Sequence, residues 1–164
     1  MSVNKYQPHV FVLPEDDANR QLANGFLLDL AISIRKIQVL TPAGGWTKVL
    51  DCFISDHLVA MDRYPARFMV LLIDFDGLEE RLTEAKAQIP PHLTDRVFVL
   101  GALTTPEALK QANLGLYEEI GLAMANDCRE GTDSIWGHEL LQHNASELER
   151  LRKQVRPILF PSNG

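Results

Sequence analysis

Phe68-Met69-Val70-Leu71-Leu72-Ile73-Asp74-Phe75-Asp76-Gly77 is the stretch on which the fold turns. Its apolar run is short and does not alternate with polar residues, as a half-buried strand would. It reads as a strand covered on both faces, the situation found in parallel sheets. The run ends abruptly in two carboxylates and a glycine. Residues two apart on a strand project to the same side, so Asp74 and Asp76 can address one point beyond the strand end. Gly77 permits the sharp turn that follows.

Three further runs share this character: His9–Leu13, Lys36–Leu40 and Arg96–Leu100. Helical spacing fills the gaps. Ala18–Arg35 carries Leu22, Phe26, Leu27, Leu30, Ile32 and Ile34, and Trp46–Tyr64 carries Val49, Leu50, Phe53, Leu58 and Met61. Leu78–Ile89 is predicted helical up to Pro90-Pro91, which cannot continue a helix. Pro106–Cys128 starts with Thr105 as cap and Pro106 in the first helical position, and a break is expected near Asn113-Leu114-Gly115.

Alternating strands and helices imply the α/β class, here a doubly wound, mostly parallel sheet of four or five strands. The chain reads as one domain over 1–164. Its core lies at about 8–128, and 129–164 holds a C-terminal helix, Glu139–Val155, and a tail. Within that tail Arg156–Pro161 reads as a last strand or a packed segment. Right-handed crossovers bring all carboxyl ends of the strands to one edge, where ligands of open α/β sheets bind.

The acids fall at that edge. Glu15-Asp16-Asp17 follows the His9–Leu13 run, as Asp74 and Asp76 follow theirs. Carboxylates crowded at buried strand ends repel one another and lose hydration, and a cation between them relieves both costs. Mg²⁺ and Mn²⁺ prefer such oxygens and commonly serve phosphate chemistry. The plain alternative is capping: Asp17 at a helix starting with Ala18, and Asp74 and Asp76 at the turn and helix around Gly77. Glu15, first off the strand, is expected to be free as a ligand and proton-transfer group, with Asp16 and Asp17 as additional candidates. Glu107 begins a helix at the same edge. It is either a further metal ligand or a first-turn acid that complements the helix dipole.

The loop Thr41–Trp46 leaves the second strand there too. Gly44 and Gly45 would let backbone N–H groups approach a phosphate and Lys48 would neutralise it, although a plain tight turn explains the glycines equally. The Lys-Ser/Thr signature of a P-loop is missing. His138 and His143 form a second polar concentration, spaced unlike the HExxH of zinc peptidases. Their functional reading is substrate positioning or proton shuttling. The plain one is a helix surface with His143 exposed. Trp46 and Trp136 read as core or cover residues.

Composition narrows the classes. The chain has 164 residues, 46% hydrophobic and 23% charged, enough for one ordinary core. A net charge of −6 argues against a broad basic surface that coats nucleic acid, yet leaves room for a small metal-assisted nucleic-acid site. Cys52 and Cys128 lack zinc-site spacing and suit a reducing compartment as two small buried residues. No apolar run reaches the ~20 residues of a membrane span. The N-terminus has no signal-peptide core. A soluble cytoplasmic protein without a membrane partner is therefore expected.

With a glutamate after the first strand and Asp74-Phe75-Asp76 after the third, the chain resembles the Toprim domain of topoisomerases, primases and the nucleases related to overcoming-lysogenization-defect proteins. The resemblance covers roughly Val10–Lys110. It implies a Toprim-like, Rossmann-like fold with Mg²⁺ or Mn²⁺ held by Glu15, Asp74, Asp76 and, as in the nuclease branch, Glu107. It also implies cleavage of nucleic-acid phosphodiesters. One departure is that Asp16 and Asp17 follow the glutamate, where the family usually has glycine. A second resemblance is to response-regulator receiver domains. It rests on Glu15-Asp16-Asp17 after the first strand and implies Asp74 as phosphoacceptor and Thr104 as the switch hydroxyl. The receiver lysine followed by proline is missing, and Asp76 has no role in that pattern. A haloacid-dehalogenase reading of Asp74-Phe75-Asp76-Gly77 fits less well, since that nucleophile belongs on the first strand. A third outcome is a non-catalytic, metal-binding interaction domain that works with a protein partner or as a homo-oligomer.

Overall fold

The computed structural model describes residues 3–162. Strand β1 (His9–Pro14) is followed by helix α1 (Asp17–Phe26), strand β2 (Ile37–Val39) and helices α2 (Trp46–Cys52) and α3 (Leu58–Arg63), joined by a π-helical turn at Phe53–His57. Strand β3 (Arg67–Leu72), α4 (Glu80–Ala87) and β4 (Val97–Leu100) come next. Helices α5 (Pro106–Gln111), α6 (Tyr117–Glu130), α7 (Ala145–Gln154) and α8 (Arg156–Leu159) complete the chain. The four strands are all parallel, in the order β2-β1-β3-β4. This is the doubly wound α/β sheet that the uninterrupted apolar runs require.

Side chains alternate across the sheet into two cores. Val10, Val12, Val70, Phe98 and Leu100 pack against α1, α6, α7 and α8. Leu13, Met69, Leu71, Val97 and Val99 pack against α2, α3 and α4. With both faces covered, no strand needs a polar side, which explains why none alternates.

On the first of these faces α1 and α6 cross almost in backbone contact. A Cβ added to Gly121 would lie 2.0 Å from the Leu22 carbonyl oxygen, and one on Gly25 would lie 2.2 Å from that of Glu118. Only glycine lets the two helices approach this closely.

The free edge of β4 meets α7 rather than a fifth strand. Asn144 Oδ1 accepts from the Gly101 N–H at 3.1 Å, and its Nδ2 donates to the Gly101 carbonyl at 2.9 Å. Glu147 Oε1 accepts from the Val99 N–H at 3.3 Å, and Arg150 Nη2 reaches the Val97 carbonyl at 3.4 Å. Side chains one helical turn apart thus reach alternate residues along this edge and take four of the backbone groups that another strand would have paired. Glu147 is fully buried, and its charge is met by Arg150 and Lys86.

Several expectations need correction. The first helix stops at Phe26 rather than Arg35, because the buried Asp29 takes the Ala31 N–H at 2.8 Å and pairs with Arg129 at 3.1 Å. Arg156–Leu159 is a short helix with proline near its start, not a strand. Thr105 stands in the cap position without a side-chain hydrogen bond. The break at Asn113–Gly115 is present, with Asn113 at φ 61° and Gly115 at φ 121°. No helix among the described residues is long and apolar enough to cross a membrane.

Candidate functional site

At the carboxyl edge the loops after the strands are stitched together by backbone bonds. The Glu15 N–H donates to the Leu72 carbonyl at 2.9 Å, and the Gly44 N–H to the Glu15 carbonyl at 2.8 Å. The Asp76 and Gly77 N–H groups donate to the carbonyls of Thr104 (3.2 Å) and Leu103 (2.7 Å). Four loops therefore present their side chains from one braced platform.

Asp74 lies at its centre, 6% exposed. Glu15 Oε2 accepts the Asp74 N–H at 2.6 Å. Asp16, not Asp17, caps α1: its Oδ1 accepts the Asn19 N–H at 3.0 Å and Nδ2 at 2.9 Å. The same Asn19 Nδ2 donates to Asp74 Oδ1 at 2.9 Å, so one amide bridges the two carboxylates. Asn19 is fully buried, and its Oδ1 has no hydrogen-bond partner.

This crowding alters proton affinity. Burial raises the Asp74 carboxyl from 3.8 to about 7, against the Asn19 hydrogen bond, with help from the charges of Glu15, Asp16 and Asp76. Glu15 is also raised, first by burial, and the Asp74 N–H opposes the rise. Without a cation, the cluster keeps a proton to limit its own repulsion.

The other predicted residues divide around this centre. Asp76 is held at φ 49°, half-exposed, with its carboxylate on Arg81 Nη1 at 2.7 Å. That same Nη1 donates to the Asp74 carbonyl at 2.7 Å, and the guanidinium lies 4.5 Å over the Trp46 ring. Glu107 is an exposed acid in the first turn of α5, and no hydrogen bond ties it to Glu15, Asp16 or Asp74. The Tyr117 hydroxyl is raised first by burial and then by Glu107, Asp16 and Asp74. Asp17 turns outward to Arg20 and Gln21, away from the centre. The Gly44 amide is committed to Glu15, Gly45 precedes α2 at φ 155°, and Lys48 is exposed with its chain folded back beside Gly44.

His143 is not on an exposed helix face. It sits in a 3-10 turn with its ring edge-on to Phe75, centroids 4.9 Å apart, and both nitrogens are shielded without a partner. Burial lowers its pKa, so the ring is neutral. His138 Nδ1 accepts the Leu140 N–H at 3.1 Å, a local turn contact.

Sequence reasoning missed Asn19 and Arg81. The only signal for Asn19 was its position three residues after Asp16, where a capping turn brings the two together. Arg81 resembled any solvated helix charge.

The oxygen-only set of Glu15, Asp16 and Asp74 suits Mg²⁺ or Mn²⁺ rather than zinc. Among the described residues, no three His, Cys, Asp or Glu side chains are arranged to hold one metal ion. The Asn19 amide stands as the donor between Asp16 and Asp74, and must turn or withdraw before a cation can take that place. Comparison with family models, curated proteins and solved structures finds no match for the chain.

Proposed function

We propose that Asp16, Asp74 and Glu15 bind Mg²⁺ or Mn²⁺ and that the protein carries out phosphoryl transfer at this edge, with Asp74 as the acceptor. The observation that carries this reading is the Asn19 bridge, which draws an acid from the β1 loop and the acid ending β3 onto a single donor. Two carboxylates held together on the two N–H bonds of one neutral amide have no positive charge to balance them, and a divalent ion would supply it. A bound divalent ion would supply Lewis-acid polarisation of a phosphoryl oxygen. Asp74, freed of its proton, would attack phosphorus as the bond to the donor's leaving oxygen breaks, giving an aspartyl phosphate and the departing anion. Arg81 anchors the Asp74 backbone from behind, and Lys48 lies in the first turn of α2, directly after the loop tied to Glu15.

The second reading is phosphodiester hydrolysis of nucleic acid, with Glu15 as the proton acceptor and Asp76 and Glu107 as further ligands. It is favoured by the raised proton affinity of Glu15 and by Asp76 standing at the same edge. It requires Asp76 to leave Arg81.

Intact-mass measurement after incubation with acetyl phosphate and Mg²⁺ tests the first reading. A single phosphoryl adduct is expected on wild type, none on Asp74→Asn, and an unimpaired yield on Asp76→Asn. Absence of any adduct on wild type refutes phosphoacceptance. Cleavage of DNA or RNA in Mn²⁺ that is lost in both variants would establish the second reading instead.

A further inference from the structure

The amino edge of the sheet, opposite the acids, collects bases. Lys5 lies ahead of β1, Arg35 and Lys36 ahead of β2, Arg63 at the end of α3, Arg67 at the start of β3 and Arg96 just before β4, with the exposed acids Asp62 and Asp95 beside Arg63 and Arg96. Arg67 differs from the others because it is 4% exposed yet has no acid. None of the ion pairs among the described residues includes it. Its Nε donates to His9 Nε2 at 2.9 Å, and His9 Nδ1 lies 2.7 Å from the Gln7 carbonyl. His9 therefore carries its proton on Nδ1 and is neutral, so it accepts from Arg67 without balancing its charge.

The guanidinium plane is packed between two rings, with Cζ 4.2 Å from the Phe11 centroid and 5.0 Å from that of Tyr64. These contacts offset part of the desolvation. They do nothing for the Nη donors, which make no hydrogen bond to another described residue and are open to solvent rather than sealed in the core. The neighbouring backbone oxygens are already claimed, since Arg96 donates to the carbonyls of Met61, Tyr64 and Arg67. Lys5 Nζ lies over the same Tyr64 ring at 5.4 Å, adding a second cation. A guanidinium this deeply buried normally meets a carboxylate or phosphate, whose paired oxygens match its fork.

We propose that Arg67, with Lys5 and Tyr64, is a binding site for one oxyanion group, the carboxylate or phosphate of a small molecule. The oxyanion takes the open Nη pair and Lys5 closes over it. Tyr6, 81% exposed and edge-on to Tyr64 at 5.9 Å, offers an apolar wall to the body of the ligand. The site is at the far edge from Asp74 and does not depend on the function proposed there.

The test titrates the full chain with inorganic phosphate and, separately, acetate. Chloride at matched ionic strength is the control, and concentrations stay below those at which salt exclusion stabilises proteins generally. One or both oxyanions should raise the thermal midpoint saturably, by about 2–4 °C, and shift the Arg67 Nε and His9 ring resonances. Phosphate alone acting would identify a phosphorylated ligand, acetate alone a carboxylate. Lys5→Ala should weaken the response, Arg67→Lys should abolish it, and Asp74→Asn should leave it intact. The wild-type resonances keep the test decisive if Arg67→Lys fails to fold. Neither oxyanion outdoing chloride, with the Arg67 and His9 signals unmoved, overturns the proposal. So does a response that survives Arg67→Lys.

Discussion

Replacing Asp74 by asparagine removes one charge from the carboxyl edge but keeps the oxygen that accepts from Asn19. The aspartate titrates near 3.8 in the unfolded chain and at about 7 in the folded one. A carboxyl whose folded pKa is raised adds stability below the unfolded value and loses it as pH climbs through the folded value. Metal-free wild type should therefore weaken between about pH 4 and pH 7 and level off above. At roughly 1.4 kcal/mol per tenfold change in proton affinity, the ceiling on this loss is about 4 kcal/mol. Solvent around half-exposed Asp76 screens the cluster, so about 2 kcal/mol is the expected loss. Urea denaturation with chelator present, followed by circular dichroism, reads it directly. Asp74→Asn should match wild type near pH 4 and exceed it by about 2 kcal/mol at pH 8. Mg²⁺ at pH 8 should then stabilise wild type and leave the variant unchanged. Parallel stability curves from pH 4 to 8, or equal Mg²⁺ responses, would refute the reasoning.

Three further outcomes are expected. Calorimetric Mg²⁺ affinity should rise up to tenfold per pH unit below about pH 7 and flatten above, because the ion competes with the Asp74 proton; a flat profile would remove Asp74 from the ligand set. Gly121→Ala should cost about 3 kcal/mol or prevent folding, since its Cβ would meet the Leu22 carbonyl at 2.0 Å; a thermal midpoint within a degree of wild type would disprove the close crossing. Asp127, buried at the end of α6, accepts from Thr132 Oγ1 at 2.6 Å and the N–H groups of Ile135 (2.7 Å) and Trp136 (3.2 Å). Burial works to raise its pKa, but these bonds outweigh burial and lower it, so the stability it adds is present above the unfolded value of 3.8 and lost as pH falls through the folded one. Asp127→Ala should cost about 2–4 kcal/mol at neutral pH by leaving two buried donors unmet, and should flatten acid unfolding; amide exchange at Ile135 and Trp136 no faster than in wild type would count against it.

How much was visible in the sequence follows from which forces are local. The four strands were legible because burial on both faces demands continuous apolar runs, and their carboxyl ends share an edge because the strands run parallel. Glu15 and Asp74 could thus be brought together from 59 residues apart. The end of α1 was not legible, since it depends on Asp29 meeting Arg129 across 100 residues. Leu30 and Ile34 fit the helical spacing but lie exposed beyond the helix. The exchange of roles between Asp16 and Asp17 is a shift of one residue in where the helix starts, finer than capping preferences resolve. Asn19 and Arg81 were invisible for another reason. Asn19 reaches Asp74 from 55 residues away, Arg81 folds back on Asp74 and Asp76 in the loop before its own helix, and side-chain type alone reveals the burial of neither. The missing fifth strand is of the same kind, because nothing local says that Asn144 and Glu147 will serve β4.

That substitution of side chains for a strand has a consequence for assembly. A β-ladder grows along an unbroken row of amides and carbonyls, and on this side Asn144 and α7 occupy the Val97 carbonyl, the Val99 N–H and both groups of Gly101, which interrupts the row. Lateral recruitment of an extended peptide, or of another copy's sheet, is confined to the far margin, where β2 offers only Ile37–Val39. So short a ribbon gives a poor template for fibrillar stacking. Helix α7 is in that sense a guard against polymerisation, and removing the chain from Asn144 onward should promote self-association through the uncovered β4 edge.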